Sequence, residues 1–320
     1  MSIREKMLAV EENIARVLVG KERPIRLVLV SLLAGGHVLL EDLPGSGKTM
    51  LAKSLAKSAN VPFRRIQFTP DLLPTDITGL SVWQQNRGEF VFQPGPVFTS
   101  ILLADEINRA TPRTQAGLLE CMEERQVTTD GVTRTLPEPF FVLATQNPVE
   151  TSGSFPLPEA QLDRFLMKLS VGFPDREGEV EVLRRFLSSN VLEELSAVAS
   201  AEDFLSARME AAKVAISEEL LGYIADLVLA TRTLPELAAG ASPRASLALM
   251  RAARAMAFLA GRSFVVPEDI KDIAVPVLAH RLVPAHRFGA GVSSEELVEK
   301  ILLTVSVPTE NFVGEERKEI

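Results

Sequence analysis

The stretch Leu39–Leu51, LLEDLPGSGKTML, carries the pattern that decides the fold. An apolar run ends in a turn with two glycines, and the helical pattern MLAKSLAKSA follows. A strand, a glycine turn and a helix in this order are typical of a phosphate-binding loop, because backbone N–H groups can wrap a phosphate at the helix N-terminus. The usual first glycine of the pattern is replaced by Asp42, so the stretch alone also fits a plain strand–turn–helix junction.

Most of the residues in this loop have an expected role in nucleotide binding. Lys48 would neutralise charge on the β- and γ-phosphates, and the Thr49 hydroxyl would ligate Mg²⁺. Asp42 lies where the loop begins, so its departure from the pattern need not damage the phosphate cradle. The residues predicted to bind the cofactor in this loop are Pro44, Gly45, Ser46, Gly47, Lys48, Thr49 and Met50.

Two other apolar runs also end in polar side chains. ILLADE ends in Asp105 and Glu106, and VLATQNP carries Asn147. Ligands of open α/β sheets bind outside the carboxyl ends of the strands, so these side chains are expected beside Lys48. Asp105 would hold the Mg²⁺ water shell, Glu106 would polarise the attacking water, and Asn147 would bind a water or the γ-phosphate. Each run taken alone also fits an ordinary helix-end charge pair or a turn residue.

The apolar runs of the first half predict an α/β fold. Five of them alternate with helical patterns, which indicates parallel strands covered on both faces. The runs are HVLLE, RRIQF, SILLADE, FFVLATQ and MKLSVGF. Two further segments are predicted as β-hairpins that turn at 86–88 and at 130–131.

The strand-like runs stop at about Pro174. Helical patterns follow, with Ser217 and Ser242 as expected N-caps. A third helix is expected to bend or break near Pro276, since proline removes a backbone donor. The sequence therefore predicts two domains, an αβα core over 1–173 and an all-helical domain over 174–320.

Composition narrows the functional class. The net charge of −8 disfavours a general nucleic-acid binder, which usually presents a basic surface. A single cysteine, Cys121, permits no disulfide within the chain and fits a reducing compartment. The first residues lack the apolar core of a signal peptide, and the longest apolar stretch is too short to span a bilayer. We expect a cytoplasmic protein that does not insert into the membrane.

Two arginines are candidate functional residues. Arg164 stands in EAQLDRF, between a helical pattern and a strand. Arg244 stands in SPRAS, in the first turn of a helix, where a cation opposes the helix dipole. Surface salt bridges are the alternative interpretation for both arginines. For Arg244 the conflict with the helix dipole favours a functional role, because an anionic partner would explain this position. The three histidines His37, His280 and His286 show no metal-ligand spacing, and Cys121 is expected in the core.

These motifs, in this order, resemble the AAA+ ATPases and, within them, the MoxR family. The resemblance covers most of the chain. Its motifs are GGHVLLEDLPGSGKT, DLLPTDITG, GEFVFQPGPVF, LLADEINRATPRTQAGLLECMEE, ATQNPVE, LPEAQLDRF and SPRASLALMRAARA. It implies a RecA-like αβα core with two hairpin insertions, a helical lid, and nucleotide bound between them. It also implies hydrolysis of ATP with Mg²⁺ in a homo-oligomeric ring, usually a hexamer.

The resemblance also assigns roles to individual residues. Lys48 and Thr49 match Walker A, and Asp105 and Glu106 match Walker B. Asn147 matches sensor 1, Arg244 matches sensor 2, and Arg164 matches an arginine finger that reaches the ATP of the neighbouring subunit. Gly20, in VLVGKE, is expected beside the nucleotide base.

Three functions are compatible with these expectations. The first is a chaperone-like motor that remodels a protein client, often with a separate partner that carries a von Willebrand factor A domain. The second is a motor subunit of a metal chelatase or of a nucleic-acid machine. The third is a scaffold whose assembly is gated by ATP.

The two hairpins would line the pore or contact the client through Trp83, Phe90 and Phe92, unless these aromatic residues only pack the hairpin.

Overall fold

The computed structural model describes residues 1–148, 154–188, 191–285 and 292–308. Helices α1–α13 span, in chain order, Ile3–Val17, Glu22–Leu33, Lys48–Ser58, Pro74–Thr78, Pro112–Glu124, Glu159–Leu162, Arg176–Ser188, Val191–Glu194, Ala201–Lys213, Glu218–Thr233, Pro243–Leu259, Pro267–Leu278 and Ser294–Thr304. Strands β1–β11 span Val38–Glu41, Phe63–Gln67, Gly79–Gln84, Glu89–Pro94, Ile101–Asp105, Gln126–Thr129, Val132–Thr135, Phe141–Gln146, Met167–Leu169, Leu237–Ala239 and Val283–Pro284.

The five predicted strands form one parallel sheet in the order β2–β5–β8–β1–β9. Glu41 pairs with Gln146, and Gln67 pairs with Asp105, so the carboxyl ends of the strands meet at one edge. This edge is where the sequence places the polar side chains. The α/β fold and its parallel sheet are confirmed.

Both faces of the sheet are buried. Leu40 packs with α1–α3 and with helices of the second half, whereas Leu39 packs with α5 on the opposite face. In β1, β5 and β8, alternate residues therefore belong to two clusters, which explains why these strands read as continuous apolar runs.

The two hairpins form as predicted, β3 with β4 and β6 with β7. Asp130 and Gly131 both have positive φ, 55° and 73°, as a two-residue turn of this kind requires. The Ser81 hydroxyl donates to Asp130 Oδ2 at 2.5 Å. The hairpins are thus tied to each other.

The aromatic side chains of the first hairpin have different surroundings. Trp83 and Phe90 form a cross-strand edge-to-face pair, yet they are 50% and 69% exposed. Phe92 instead packs against Phe98 and lies beneath the guanidinium of Arg134, 3.9 Å from the ring centre. Phe92 therefore supports the hairpin, while Trp83 and Phe90 remain available at the surface.

The second half is helical, and Ser217 and Ser242 are N-caps as expected. It also contains a short antiparallel pair, β10 with β11, which the sequence analysis did not predict. The expected break at Pro276 is wrong, because α12 continues through it to Leu278. Proline leaves the Asp272 carbonyl without its helical donor, and Arg23 Nη2 donates to that oxygen at 3.4 Å.

One apolar cluster crosses the predicted domain boundary at 173/174. It joins α1–α3 and one face of the sheet to α9–α12. Lys6 of α1 also pairs with Asp203 of α9 at 2.8 Å. The two halves therefore pack as one body along this face.

None of the helices in the described ranges is long and apolar enough to cross a membrane.

His37 has a structural role. Its Nδ1 accepts from the backbone N–H of Val142 at 3.0 Å, and Nε2 lies 3.1 Å from the Met122 carbonyl oxygen. Burial lowers the pKa of His37 to about 3, so the ring is neutral near pH 7.

His280 is also buried, whereas His286 lies outside the described residues. Burial raises the pKa of the Cys121 thiol to about 12, which fits the predicted core position.

Candidate functional site

The loop between β1 and α3 has the backbone of a phosphate cradle. Gly45 and Gly47 have φ of 87° and 92°, a region that side-chain-bearing residues rarely adopt. Gly47 is also the N-cap of α3, which begins at Lys48. The two glycines therefore allow the chain to turn tightly and present amide groups and the helix N-terminus to one point.

This loop and the strand ends enclose a cavity of about 390 Å³. The Ser46 hydroxyl is buried there and has no hydrogen-bond partner among the described residues. An unpaired buried hydroxyl beside a glycine cradle fits a ligand that supplies oxygen acceptors, as a phosphate does. The predicted site residues that line the cavity are Pro44, Gly45, Ser46, Gly47, Lys48, Thr49, Met50, Asp105, Glu106 and Asn147.

Lys48 is held by the loop itself. Its Nζ donates to the carbonyl oxygens of Asp42 at 2.8 Å and Leu43 at 3.0 Å. Burial lowers the pKa of Lys48, while the nearby carboxylates of Asp42, Asp105 and Glu106 oppose this shift. The lysine is thus placed at the mouth of the cradle, between its own backbone and the acidic strand ends.

Asp42, which stands where the pattern has glycine, anchors the loop. Its carboxylate accepts hydrogen bonds from the Ser170 hydroxyl at 2.6 Å and from the backbone N–H groups of Val171 at 2.7 Å and Gly172 at 3.1 Å. Asp42 is 7% exposed, so these bonds form away from water. They fasten the start of the loop to the segment that follows β9.

Replacing Asp42 with glycine is expected to lower the free energy of unfolding by about 1–3 kcal/mol, although it restores the usual pattern. The change removes an acceptor and leaves the buried N–H of Val171 unpaired. Urea unfolding followed by circular dichroism measures the effect, and Asp226→Asn on an exposed helix face is the matched control. A stability equal to that of the wild type would show that the three hydrogen bonds do not stabilise the loop.

Asp105 at the end of β5 is held by two partners. Arg65 Nη2 donates to Asp105 Oδ2 at 2.5 Å, and the Thr145 hydroxyl donates to Oδ1 at 2.6 Å. Arg65 lies on β2 and Thr145 on β8, the two neighbours of β5 in the sheet. The carboxylate is therefore fixed in orientation at the centre of the strand edge.

Glu106 is held just as firmly. Gln67 Nε2 donates to its Oε2 at 2.8 Å, and Arg109 Nη1 donates to the same oxygen at 3.0 Å. Its backbone N–H donates to the Thr145 hydroxyl at 2.8 Å. Glu106 has φ of 57°, a strained conformation for a residue with a side chain, and such strain is concentrated at functional sites.

Four residues that line this cavity, Arg65, Gln67, Thr145 and Gln146, were not predicted from the sequence. A signal was available for three of them. Arg65 and Gln67 are separated by two positions in a strand, so they point to the same face. They also lie at the carboxyl end of a run next to the acidic pair. Thr145 precedes Asn147 by two residues in the same way.

Arg164 and Arg244 lie in a second cavity of about 350 Å³, which shares no lining residue with the first in the described ranges. Both guanidinium groups pair with Glu123 of α5, Arg164 Nε at 3.2 Å and Arg244 Nη2 at 2.5 Å. This second cavity is lined by five arginines, Arg125, Arg164, Arg244, Arg251 and Arg281.

The resemblance implies a nucleotide between the core and the lid of one subunit, with Arg244 beside it. The observed position of Arg244 differs from this expectation. Asp163 accepts from the Ser242 hydroxyl at 3.0 Å and from Arg281 Nε at 2.8 Å. These bonds hold the N-terminus of α11, and therefore Arg244, beside Arg164 and away from the phosphate loop. No described residue of the second half lines the first cavity.

Gly20 lines neither cavity. It has φ of 68° and therefore a turn that glycine permits. Leu18, two residues earlier, lies close to the loop, because a Cβ built on Gly47 would stand 3.5 Å from Leu18 Cδ2. The segment before Gly20 is thus near the cradle, and its contact with a base stays a prediction.

The chain matches two family models. Residues 37–167 match the ATPase family associated with various cellular activities (AAA), and residues 229–301 match the AAA lid domain. The first match includes four strands of the parallel sheet in full, β1, β2, β5 and β8, and ends at Met167, the first residue of β9. The second includes α11, which carries Arg244.

The chain is similar to several curated bacterial proteins over nearly its whole length. The uncharacterised protein YeaC of Bacillus subtilis is 49% identical over 93% of this chain and 94% of its own. Chaperone MoxR1 of Mycobacterium tuberculosis is 42% identical over 95% and 83%, respectively. Protein MoxR of Methylorubrum extorquens is 33% identical over 95% and 96%.

A solved structure has the same fold. The crystal structure of a protein assigned as an ATPase in Cytophaga hutchinsonii superposes with a TM-score of 0.89 and is 44% identical. The superposition covers 96% of each chain.

Proposed function

We propose, since this chain belongs to the MoxR family of AAA+ ATPases, that it hydrolyses ATP with Mg²⁺ and uses the cycle to remodel a protein client. The observation that carries the proposal is the first cavity. It joins a glycine cradle and Lys48 to Asp105, Glu106 and Asn147 at one sheet edge. That set combines phosphate binding, metal binding and water activation within one space.

The chain's own residues can perform each part of the hydrolysis. Amides of the glycine loop and Lys48 bind the phosphates and stabilise charge on the departing diphosphate. Glu106 accepts a hydrogen bond from the attacking water, and Asn147 orients that water or the γ-phosphate. The water oxygen bonds to the γ-phosphorus as the bond to the bridging oxygen breaks. Thr49 and Asp105 would hold Mg²⁺, which supplies neutralisation of the phosphate charge when bound.

We further propose that each active site is shared by two copies of the chain. Arg164 and Arg244 lie outside the phosphate cavity of their own subunit, in a cavity rich in arginine. The side chains of Arg164 and Arg244 are 32% and 54% exposed, and accessible cations suit the phosphates of a neighbouring subunit's nucleotide. A site completed in this way requires at least two adjacent copies, and a closed ring, for which a hexamer is the family's usual form, completes every site. We also propose that the chain consists of two domains, an αβα core over residues 1–173 and a helical lid over residues 174–320.

Two features support a protein client over a nucleic acid. Trp83 and Phe90 expose an aromatic pair at the end of a hairpin, and such pairs contribute strongly to protein contacts. The net charge of −8 disfavours electrostatic attraction of a phosphate backbone. One relative is named a chaperone. We propose that the protein acts in the cytoplasm, with a protein that carries a von Willebrand factor A domain as the candidate partner.

A substrate trap tests this function. The Glu106→Gln variant should bind ATP without hydrolysing it, and the proteins that co-purify with it in Mg·ATP are identified by mass spectrometry. The Lys48→Ala variant, which lacks the phosphate contact, is the control. We expect a defined protein, enriched only in the trap.

Other outcomes would favour the remaining functions. Enriched nucleic acid or a chelatase subunit would indicate the second function. An ATP-dependent assembly without any partner, together with full biological activity of Glu106→Gln, would indicate a scaffold and contradict the motor.

A further inference from the structure

Glu123 occupies an unusual position between the two arginines. It lies in the last turn of α5, where a carboxylate opposes the negative end of the helix dipole. Arg244 lies in the first turn of α11, where a cation opposes the positive end. Each charge is therefore unfavourable for its own helix. The two form a hydrogen bond of 2.5 Å with each other, which offsets both costs.

The same carboxylate also restrains Arg164. Its Oε2 lies 3.2 Å from Arg164 Nε, while Oε1 accepts from Arg244 Nη2. Two guanidinium groups that approach one phosphate repel each other, and a carboxylate between them reduces this repulsion. Glu123 thus allows two cations to stand side by side before any ligand arrives.

We propose that Glu123 is a positioning residue that presents Arg164 and Arg244 together to the nucleotide of the adjoining subunit. This inference rests on the shared active site proposed above. The closest approach of Glu123 to Arg164 is at Nε, on the side of the guanidinium. The Nη1 and Nη2 edge of an arginine is the one that binds two phosphate oxygens in a forked geometry.

The position of Glu123 is well supported by the fold. Met122, the preceding residue, is buried, and its carbonyl oxygen contacts the ring of His37. The helix that carries Arg244, α11, is fixed by the hydrogen bond that the Ser242 hydroxyl donates to Asp163. The carboxylate is therefore anchored on two rigid elements, as preorganised charge stabilisation requires.

The test compares Glu123→Gln with Glu124→Gln, a matched change at the neighbouring exposed residue of α5. We expect Glu123→Gln to lower kcat for ATP hydrolysis roughly 10- to 100-fold, because misplaced catalytic groups lose that much. KM, ATP affinity and Tm should stay near the wild-type values, and Glu124→Gln should match the wild type. Glu123→Asp keeps the charge but is too short to reach both arginines, so its kcat should fall as well.

A comparison of a double variant with a triple variant separates positioning from a general structural role. Adding Glu123→Gln to Arg164→Ala plus Arg244→Ala should produce no further loss of kcat, because the carboxylate then has nothing to position. A further loss of the same size, or a kcat of Glu123→Gln at or above the wild-type value, would overturn the proposal. If Arg164→Ala alone left kcat unchanged, the shared active site would be contradicted. This inference, which rests on that site, would then be contradicted as well.

Discussion

Replacing Glu106 with glutamine is expected to lower kcat for ATP hydrolysis roughly 10²- to 10⁴-fold, the range for loss of a general base. Glutamine keeps the size of the side chain and an oxygen that can accept from Gln67 or Arg109. It loses the negative charge that polarises water. ATP binding should persist, because the cradle and Lys48 are unchanged.

Phosphate release at saturating ATP measures the rate, and equilibrium binding of a fluorescent ATP analogue measures affinity. The matched control is Glu120→Gln, at an exposed position of α5. A Glu106→Gln variant that turns over at the wild-type rate would exclude Glu106 as the group that activates water. Loss of binding together with turnover would instead indicate a role in holding the nucleotide.

Replacing Arg164 with alanine should lower kcat roughly 10³- to 10⁵-fold, the range for an arginine finger supplied by a neighbour. The fold should tolerate the change, because the pair of Arg164 with Glu123 is partly exposed and such pairs contribute about 0–1 kcal/mol. ATP affinity should change little, since the phosphate cavity of the same chain contains no atom of Arg164.

Three measurements check this expectation. The first is kcat at a protein concentration where the wild type is fully assembled, the second is ATP affinity, and the third is Tm. Arg113→Ala, at an exposed position of α5, is the control for loss of a surface cation. An Arg164→Ala variant with unchanged kcat would mean that the arginine cavity takes no part in hydrolysis.

Features set by local sequence were predictable. The strand runs, the turn at Asp130 and Gly131, and the N-caps Ser217 and Ser242 depend on nearby residues, and all of them are present in the structure. The gathering of Lys48 with the acidic pair followed from the geometry of parallel strands, since their carboxyl ends share one edge.

Features set by distant contacts were not predictable. Asp42 anchors the loop through Ser170, which is 128 positions away, so the sequence pattern alone showed a departure and not its reason. The position of Arg244 depends on Asp163, which links the N-terminus of α11 to the buried Arg281. The helix likewise continues through Pro276, and a side chain from α2 donates to the carbonyl that proline leaves without its helical donor.

The shared active site is tested most directly by mixing two inactive variants. Lys48→Ala retains both arginines but lacks the phosphate contact, whereas Arg164→Ala retains an intact phosphate loop. Subunits mixed in equal amounts and reassembled should recover ATP hydrolysis well above either variant alone, because each intact loop can meet an intact arginine from its neighbour. A mixture of Arg164→Ala with the double variant Lys48→Ala plus Arg164→Ala should stay inactive. No recovery in the first mixture, with rings of mixed composition shown by mass spectrometry, would contradict the account.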